Sequence, residues 1–328
     1  MAIAALPSSL ASAIASEAAR FSVGDLVHAA QSLSAAYRRE AGAIPLMLND
    51  AQRTAYLAVR LPATYAAVAT ALLELHSSLD DAAPRSGLDV GAGPGTASLA
   101  AHDLWPSLAI KQLERDRGWL DIAARLSAAV GAKSVAATGD LATTQFAPHD
   151  IVLAAYALNE LPAAALDDTV KRLWAASSRA LVVVEPGTPS GFAVVRRARE
   201  LCLDLGAHAA APCTHDAICP MTTADWCHRS VRVERSALHR RLKGADLAWE
   251  DEKFAYVALT RRPPRRIAFG RIVRKPIRAG GHVHLDLCTA NGLERTTVTR
   301  SDRAAYKAAR DIDWGDTWPK TPAAGEAE

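Results

Sequence analysis

Long apolar runs are missing from this chain: nothing approaches the ~20 consecutive residues that a membrane-spanning helix needs, so no membrane span is expected. The stretch Met1 to Phe21 is rich in Ala and Ser, but no basic segment precedes its apolar part, it carries Glu17, and Arg20 is its only Arg. Neither a secretory signal nor a mitochondrial presequence is therefore expected, and the protein is expected in the cytoplasm. Cysteine is scarce, five in 328 residues. In a reducing compartment these five are thiols or metal ligands rather than disulfides. A large net charge is also absent, because 38 Lys and Arg against 35 Asp and Glu leave only +3. The molecule as a whole is no polycation, and the distribution of charge matters more than its sum.

What the chain does have is organised around Leu88-Asp89-Val90-Gly91-Ala92-Gly93-Pro94-Gly95-Thr96, an apolar strand that enters a glycine turn and opens a helix. Glycines at alternate positions let the backbone turn sharply and approach a ligand closely, which predicts a nucleoside cofactor. A dinucleotide site places its third small residue three positions after the second glycine; here Gly91, Gly93 and Gly95 alternate and Thr96 follows. Asp89, just before the turn, opposes a pyrophosphate and suits the ammonium and sulfonium of S-adenosylmethionine. Glu114 ends the next expected strand, nineteen positions after Gly95, where a carboxylate accepts from ribose hydroxyls. Asp140 follows a third strand and is a candidate acceptor for an adenine amino group, or equally a turn residue or helix cap.

The chain divides into three expected units: a helical segment 1–82, a Rossmann-like unit 83–262 with a cysteine-rich insertion about 207–232, and a basic β extension 263–328. In the first, Ser22 to Asp25 reads as a capping box, Asp50 as the cap of a further helix, and Pro62 as a break. Arg60 to Tyr65 is either a cap over the cofactor pocket or a packed helix pair. From about 84 to 200, strands alternate with helices, as a parallel sheet covered on both faces requires. Tyr156 to Pro162 and Glu185 to Phe192 follow strand ends and border the pocket, with Asn159 and Glu160 as candidate contacts.

Cys213, Cys219 and Cys227 fall within fifteen residues, spaced more widely than in a zinc ribbon. With the distant Cys288 they make four soft ligands for zinc or an iron–sulfur cluster, and spacing does not choose between them. His215 and His228 are substitutes should Cys288 be remote, while Cys202 reads as an ordinary buried thiol. Between Arg261 and Arg278 stand eight basic residues in eighteen and no acid, a density that suits RNA phosphates. Asn291-Gly292 then marks a hairpin. Trp314 and Trp318 are candidates for stacking on bases, although packing on the body is the stronger reading.

Leu88 to Thr96, Tyr156 to Pro162, Glu185 to Phe192, the cysteine cluster with Leu287-Cys288-Thr289, Arg60 to Tyr65 and Trp314-Gly315-Asp316 together resemble the ribosomal small-subunit methyltransferase-like family, whose mitochondrial members act in mitoribosome assembly. The resemblance implies an α/β, class I S-adenosylmethionine-dependent methyltransferase fold and association with small-subunit rRNA and assembly intermediates, with no membrane partner. It also implies a four-iron four-sulfur cluster on Cys213, Cys219, Cys227 and Cys288, zinc being the alternative, and cofactor contacts on the glycine turn. Methyl transfer itself stays open, and no catalytic residue is assigned. Ala157-Leu158-Asn159-Glu160 stands where amine-directed nucleic-acid methyltransferases often carry Asn/Asp-Pro-Pro-aromatic, and no cysteine follows that strand to form a covalent adduct. An rRNA methyltransferase and a non-catalytic assembly factor are both expected readings, with a monomer favoured.

Overall fold

The computed structural model describes residues 3–39, 48–79, 82–222, 225–264 and 268–319. A short strand β1 (Ile3–Ala4) leads into helices α1 (Ser8–Ala18), α2 (Val23–Arg39), α3 (Asp50–Val59) and α4 (Leu61–Ser78). Ser22 caps α2 as the sequence predicts, its Oγ accepting from the Asp25 amide at 3.1 Å. The cap of α3 is not Asp50 but Asn49, which accepts from the Gln52 amide while the Gln52 side chain accepts from Asn49. Asn49 completes a reciprocal capping box, which leaves Asp50 in the first turn, where its charge suits the helix dipole. α3 and α4 meet at a 51° bend around Arg60, with Pro62 in the first turn of α4, where its missing N–H has no helical partner to lose.

The central unit runs β2 (Ser86–Val90), α5 (Thr96–Leu104), β3 (Ala109–Glu114), α6 (Arg117–Val130), β4 (Lys133–Thr138), β5 (His149–Ala155), α7 (Ala163–Ala176), β6 (Ser177–Pro186), α8 (Pro189–Asp204), β7 (His208–Ala211), β8 (Arg229–Glu234), α9 (Ala237–Lys243) and β9 (Trp249–Thr260). Five strands lie parallel in the order β4-β3-β2-β5-β6, and β9 pairs antiparallel with β6. The order reverses at β2, which places a crevice at the carboxyl end of that strand. This is the class I S-adenosylmethionine-dependent methyltransferase sheet, an α/β Rossmann-like fold, as expected.

Burial on both faces explains why Ala180 to Val184 is apolar throughout. Ala180, Val182 and Val184 pack with residues of α1, α4, α5 and α6, while Leu181 and Val183 pack with residues of α7 and α8. β8 and β7 share the outer edge of β9: Arg229 pairs with Phe254, and His208 with Thr260. The cysteine-rich segment between them therefore leaves and re-enters the sheet on one edge.

A second, antiparallel sheet follows, made of β10 (Gly270–Ile272), β11 (Ile277–Ala279), β12 (His282–Thr289), β13 (Gly292–Thr299) and β14 (Thr317–Trp318), with α10 (Arg303–Asp311) against it. The expected hairpin joins β12 to β13, with Thr289 opposite Gly292 and Gly292 at φ +120°. Val283, Leu285 and Leu287 alternate inward onto Val298, Ala309 and Ile312. Cys288 takes the opposite face of β12, because side chains in a strand alternate with period two.

Candidate functional site

The glycine turn is built as the sequence predicts. Gly91, Gly93 and Gly95 have φ of +62°, +52° and +81°, conformations that side chains with a Cβ disfavour. A Cβ on Gly91 would lie 2.6 Å from that of Ala157, so the loop after β5 closes directly on the turn. Glu114 supports the turn from beside it: Oε2 accepts from the Gly93 amide at 3.0 Å, and Oε1 accepts from the Arg115 and Asp116 amides at 2.8 and 3.0 Å.

Asp89, expected to face a ligand's positive charge, is 1% exposed. Its Oδ2 accepts from the amide and hydroxyl of Ser98 at 3.0 and 2.7 Å, fastening the end of β2 to α5. Burial pushes its carboxyl up to about 7 against the pull of those two bonds. Asp140 is exposed beyond β4, and its Oδ1 accepts from the Ala142 amide at 2.7 Å, forming its own turn.

Across the crevice, Glu185 at the end of β6 is fully buried, and its Oε1 accepts from the amides of Leu158 and Asn159 at 2.8 and 3.3 Å. Burial raises this carboxyl to about 8. Glu160 is also raised by burial, with Arg115 opposing and Glu114 adding to the rise. Tyr156 has a positive φ of 56°, uncommon for a side chain of its size. Its hydroxyl donates to Glu252 Oε1 at 3.0 Å, and Arg60 reaches the same oxygen at 3.4 Å. Arg60 of the helical segment and Tyr156 of the loop after β5 thus meet on Glu252 of β9, while Tyr65 of α4 donates to Asp103 at 3.0 Å.

The cysteines form the second centre. Cys213, Cys219, Cys227 and Cys288 line one cavity together with Met221 and Arg271. Cys202 lies elsewhere, on the buried face of α8 in the core, where burial lifts its thiol to about 12. Burial raises Cys219, Cys227 and Cys288 as well, Cys288 to about 12, and the charges of the other cysteines push Cys227 and Cys288 further. The thiols of Cys219, Cys227 and Cys288 therefore hold their protons more tightly, and a bound metal must displace them. His215 Nε2 stands 3.5 Å from Cys288 Sγ. Among the described residues, no three His, Cys, Asp or Glu side chains converge tightly enough to hold a single metal ion.

Arginines fasten this pocket. Arg199 donates to the carbonyls of His215 and Ala217 at 2.9 and 2.7 Å, and Arg196 to that of Met221 at 3.0 Å. Arg271, opposite Cys288 in the β10–β12 ladder, donates to the carbonyls of Pro212 and Gly315 at 2.7 and 2.6 Å and to both carboxylate oxygens of Glu74. Glu74 also pairs with Arg229. Sequence reasoning missed this knot. Its one signal was that Glu74 is the sole acid in α4.

Within the basic run Arg261, Arg262, Lys275 and Arg278 are exposed, and several of its arginines also bond back to the protein. Arg261 stacks on Trp174 at 3.8 Å and donates to the Ser177 carbonyl. Arg271 is buried, Arg274 pairs with Asp225, and Arg278 donates to the carbonyls of Arg310 and Ile312. The planar guanidinium fork matches carbonyls at strand and helix ends, so these charges tie the chain to itself. Arg265 and Arg266 lie outside the described residues. Trp314 packs on His228 at 4.5 Å and Trp318 on the C-terminal core, not on an open face.

Known proteins resemble this chain at several levels. The human protein named ribosome assembly protein METTL17, mitochondrial, is 30% identical over 292 residues, covering 82% of this chain and 63% of its own length. A Schizosaccharomyces pombe Rsm22-cox11 tandem protein is 25% identical, covering 83% of this chain and 44% of its own. The chain therefore spans less than two thirds of the length of either relative. Among solved structures, magnesium protoporphyrin IX methyltransferase from Synechocystis, with bound S-adenosylhomocysteine, aligns over 69% of this chain and 92% of its own at 14% identity and a TM-score of 0.41. The family described as mitochondrial small ribosomal subunit Rsm22 matches residues 50–319, and the chain belongs to that family.

Proposed function

We propose that this protein binds S-adenosylmethionine and acts, as a methyltransferase-like factor, on small-subunit rRNA and its assembly intermediates, with Cys213, Cys219, Cys227 and Cys288 holding a four-iron four-sulfur cluster. The observation that carries the reading is the meeting of four thiols from segments on either side of β9 in one cavity, in a chain of the Rsm22 family.

The donor set fits such a cluster. Four thiolates are its usual ligands. When bound, the cluster supplies iron–thiolate bonds between the segment 213–227 and β12. The chain's own part is the arginine scaffold that keeps both segments in place. For the methyl donor, the glycine turn offers close backbone approach, Glu114 the ribose acceptor and Asp140 an adenine acceptor, while Asp89 orients α5 beneath them. Cytoplasmic placement is part of the proposal, and cell fractionation tests it.

Anaerobic purification with iron and sulfide analysis tests the cluster, calorimetry with S-adenosylmethionine the cofactor, and co-sedimentation with small subunits the partner. Stoichiometric zinc in a colourless protein would replace the cluster assignment. The alternative is a non-catalytic assembly factor, in which the shared bonds of Tyr156 and Arg60 to Glu252 serve only to brace the loop after β5. Unchanged rRNA methylation with intact assembly in cells carrying Glu114→Ala would support it.

A further inference from the structure

One group of outward-facing charge lies on α10. Arg303, Lys307 and Arg310 are all exposed. At 100° per residue they lie within about 60° of one another on the helix, a single stripe. Arg303 to Arg310 covers about 10.5 Å of helix axis, close to three nucleotide steps of one strand in a duplex. None of the three ends in an ion pair with any described residue. Arg300, in the turn that precedes α10, is also exposed, its guanidinium 5.7 Å from the Tyr306 ring. Two exposed acids flank the row, the cap Asp302 at the near end and Asp311 at the far end of the helix.

The helix is held rigidly. Asp302 caps it by accepting from the Ala305 amide at 3.0 Å, and Arg278 binds the carbonyls of Arg310 and Ile312 at its other end. Ala309 and Ile312 are fully buried against β12 and β13. The apolar side is therefore already covered, and the helix has no face left to insert into a lipid surface. What remains is a preformed row of cations at a spacing suited to successive phosphates, without an apolar rim that would suit a protein partner.

We propose that the Arg303–Lys307–Arg310 face of α10 is a docking surface for the RNA backbone, beside the exposed charge of the run from Arg261 to Arg278. The proposal rests on the small-subunit rRNA reading above and adds to it the element that makes contact.

The test compares the full-length protein, its Arg303→Gln/Lys307→Gln/Arg310→Gln variant, Lys307→Gln alone, and a control with equal charge loss at the exposed Lys133, Arg240 and Arg241. Binding to transcribed small-subunit rRNA is measured across a salt series, with thermal melting to confirm folding. The α10 variant is expected to bind at least tenfold more weakly, with the slope of log K against log salt reduced by about 2, the single variant falling between and the control unchanged. Wild-type affinity and slope in the α10 variant would overturn the assignment while leaving the rRNA reading intact. Absence of RNA binding by the wild type would overturn the rRNA reading itself. Loss in the variant of binding to anionic vesicles or to an RNase-treated protein partner, with RNA binding kept, would reassign the face.

Discussion

Arg271 and Glu74, 197 residues apart in sequence, form a two-pronged ion pair at 3.1 and 2.7 Å in the wall of the cysteine cavity. Through it the helical segment, the loop before Cys213 and the C-terminal sheet meet on one guanidinium. Removing one partner of a buried pair leaves the other charge uncompensated, at about 3 kcal/mol or more. Glu74→Ala is therefore expected to lower unfolding free energy by about that amount and to open the 261–278 connection to proteolysis. Denaturant melts and limited proteolysis measure both, and unchanged stability would show that Arg271 finds other acceptors.

Serine in place of Cys213 or Cys288 is expected to abolish bound iron and the broad absorption of iron–thiolate bonds. Cys202→Ser is expected to keep both while losing about 1–3 kcal/mol of stability, because it buries a hydroxyl in an apolar core. Metal analysis beside melting curves separates the two effects. Iron retained by Cys288→Ser would point to His215 or to three-cysteine ligation.

Glycine positions differ in what a side chain would meet. Gly93→Ala meets nothing within 4 Å and carries only its positive φ, an expected cost of about 1–2 kcal/mol. Gly91→Ala adds the contact with Ala157 at 2.6 Å, a further ~1–3 kcal/mol from overpacking. It is also expected to weaken S-adenosylmethionine binding more than Gly93→Ala. Calorimetry that ranks the pair in the opposite order would remove the close contact as the cause.

Stability is expected to fall as pH rises above neutrality. Burial holds Asp89 up to about 7 and Glu185 up to about 8, so the folded state binds their protons more tightly than the unfolded chain does. Their contribution is complete below about pH 4 and is lost as pH climbs through 7 and 8. Burial lowers His215, His228 and His239, which works the other way, but only below about pH 6.5. Between roughly pH 6.5 and 8.5 the two carboxyls govern the slope, at most about 1.4 kcal/mol per pH unit each. Asp89→Asn and Glu185→Gln should flatten it. Chemical melts at several pH values provide the measurement, and a slope unaltered by either substitution would assign it to other groups.

Much of the fold was legible in the sequence because its signals are local. Alternating glycines must turn, the all-apolar run at Ala180 to Val184 must be covered on both faces, and Asn291-Gly292 must close a hairpin. The candidate site was legible by residue type, since clustered thiols are rare enough to notice. Asp89 shows where such reading stops: its position before the turn was plain, but Ser98, nine residues on, claims its carboxylate.

The sequence by itself determined the strand–helix alternation, the glycine turn and the identity of the four thiols. Only the tertiary structure decided that Cys288 lines one cavity with Cys213, that Arg271 turns inward onto Glu74, and that α10 keeps its cationic face uncovered. The physical reason is that backbone propensity and periodicity act over a few residues. The partner of a buried charge is chosen by whichever carboxylate or carbonyl the folded chain brings within 3 Å, and for Arg271 that is Glu74, on a helix almost two hundred residues earlier.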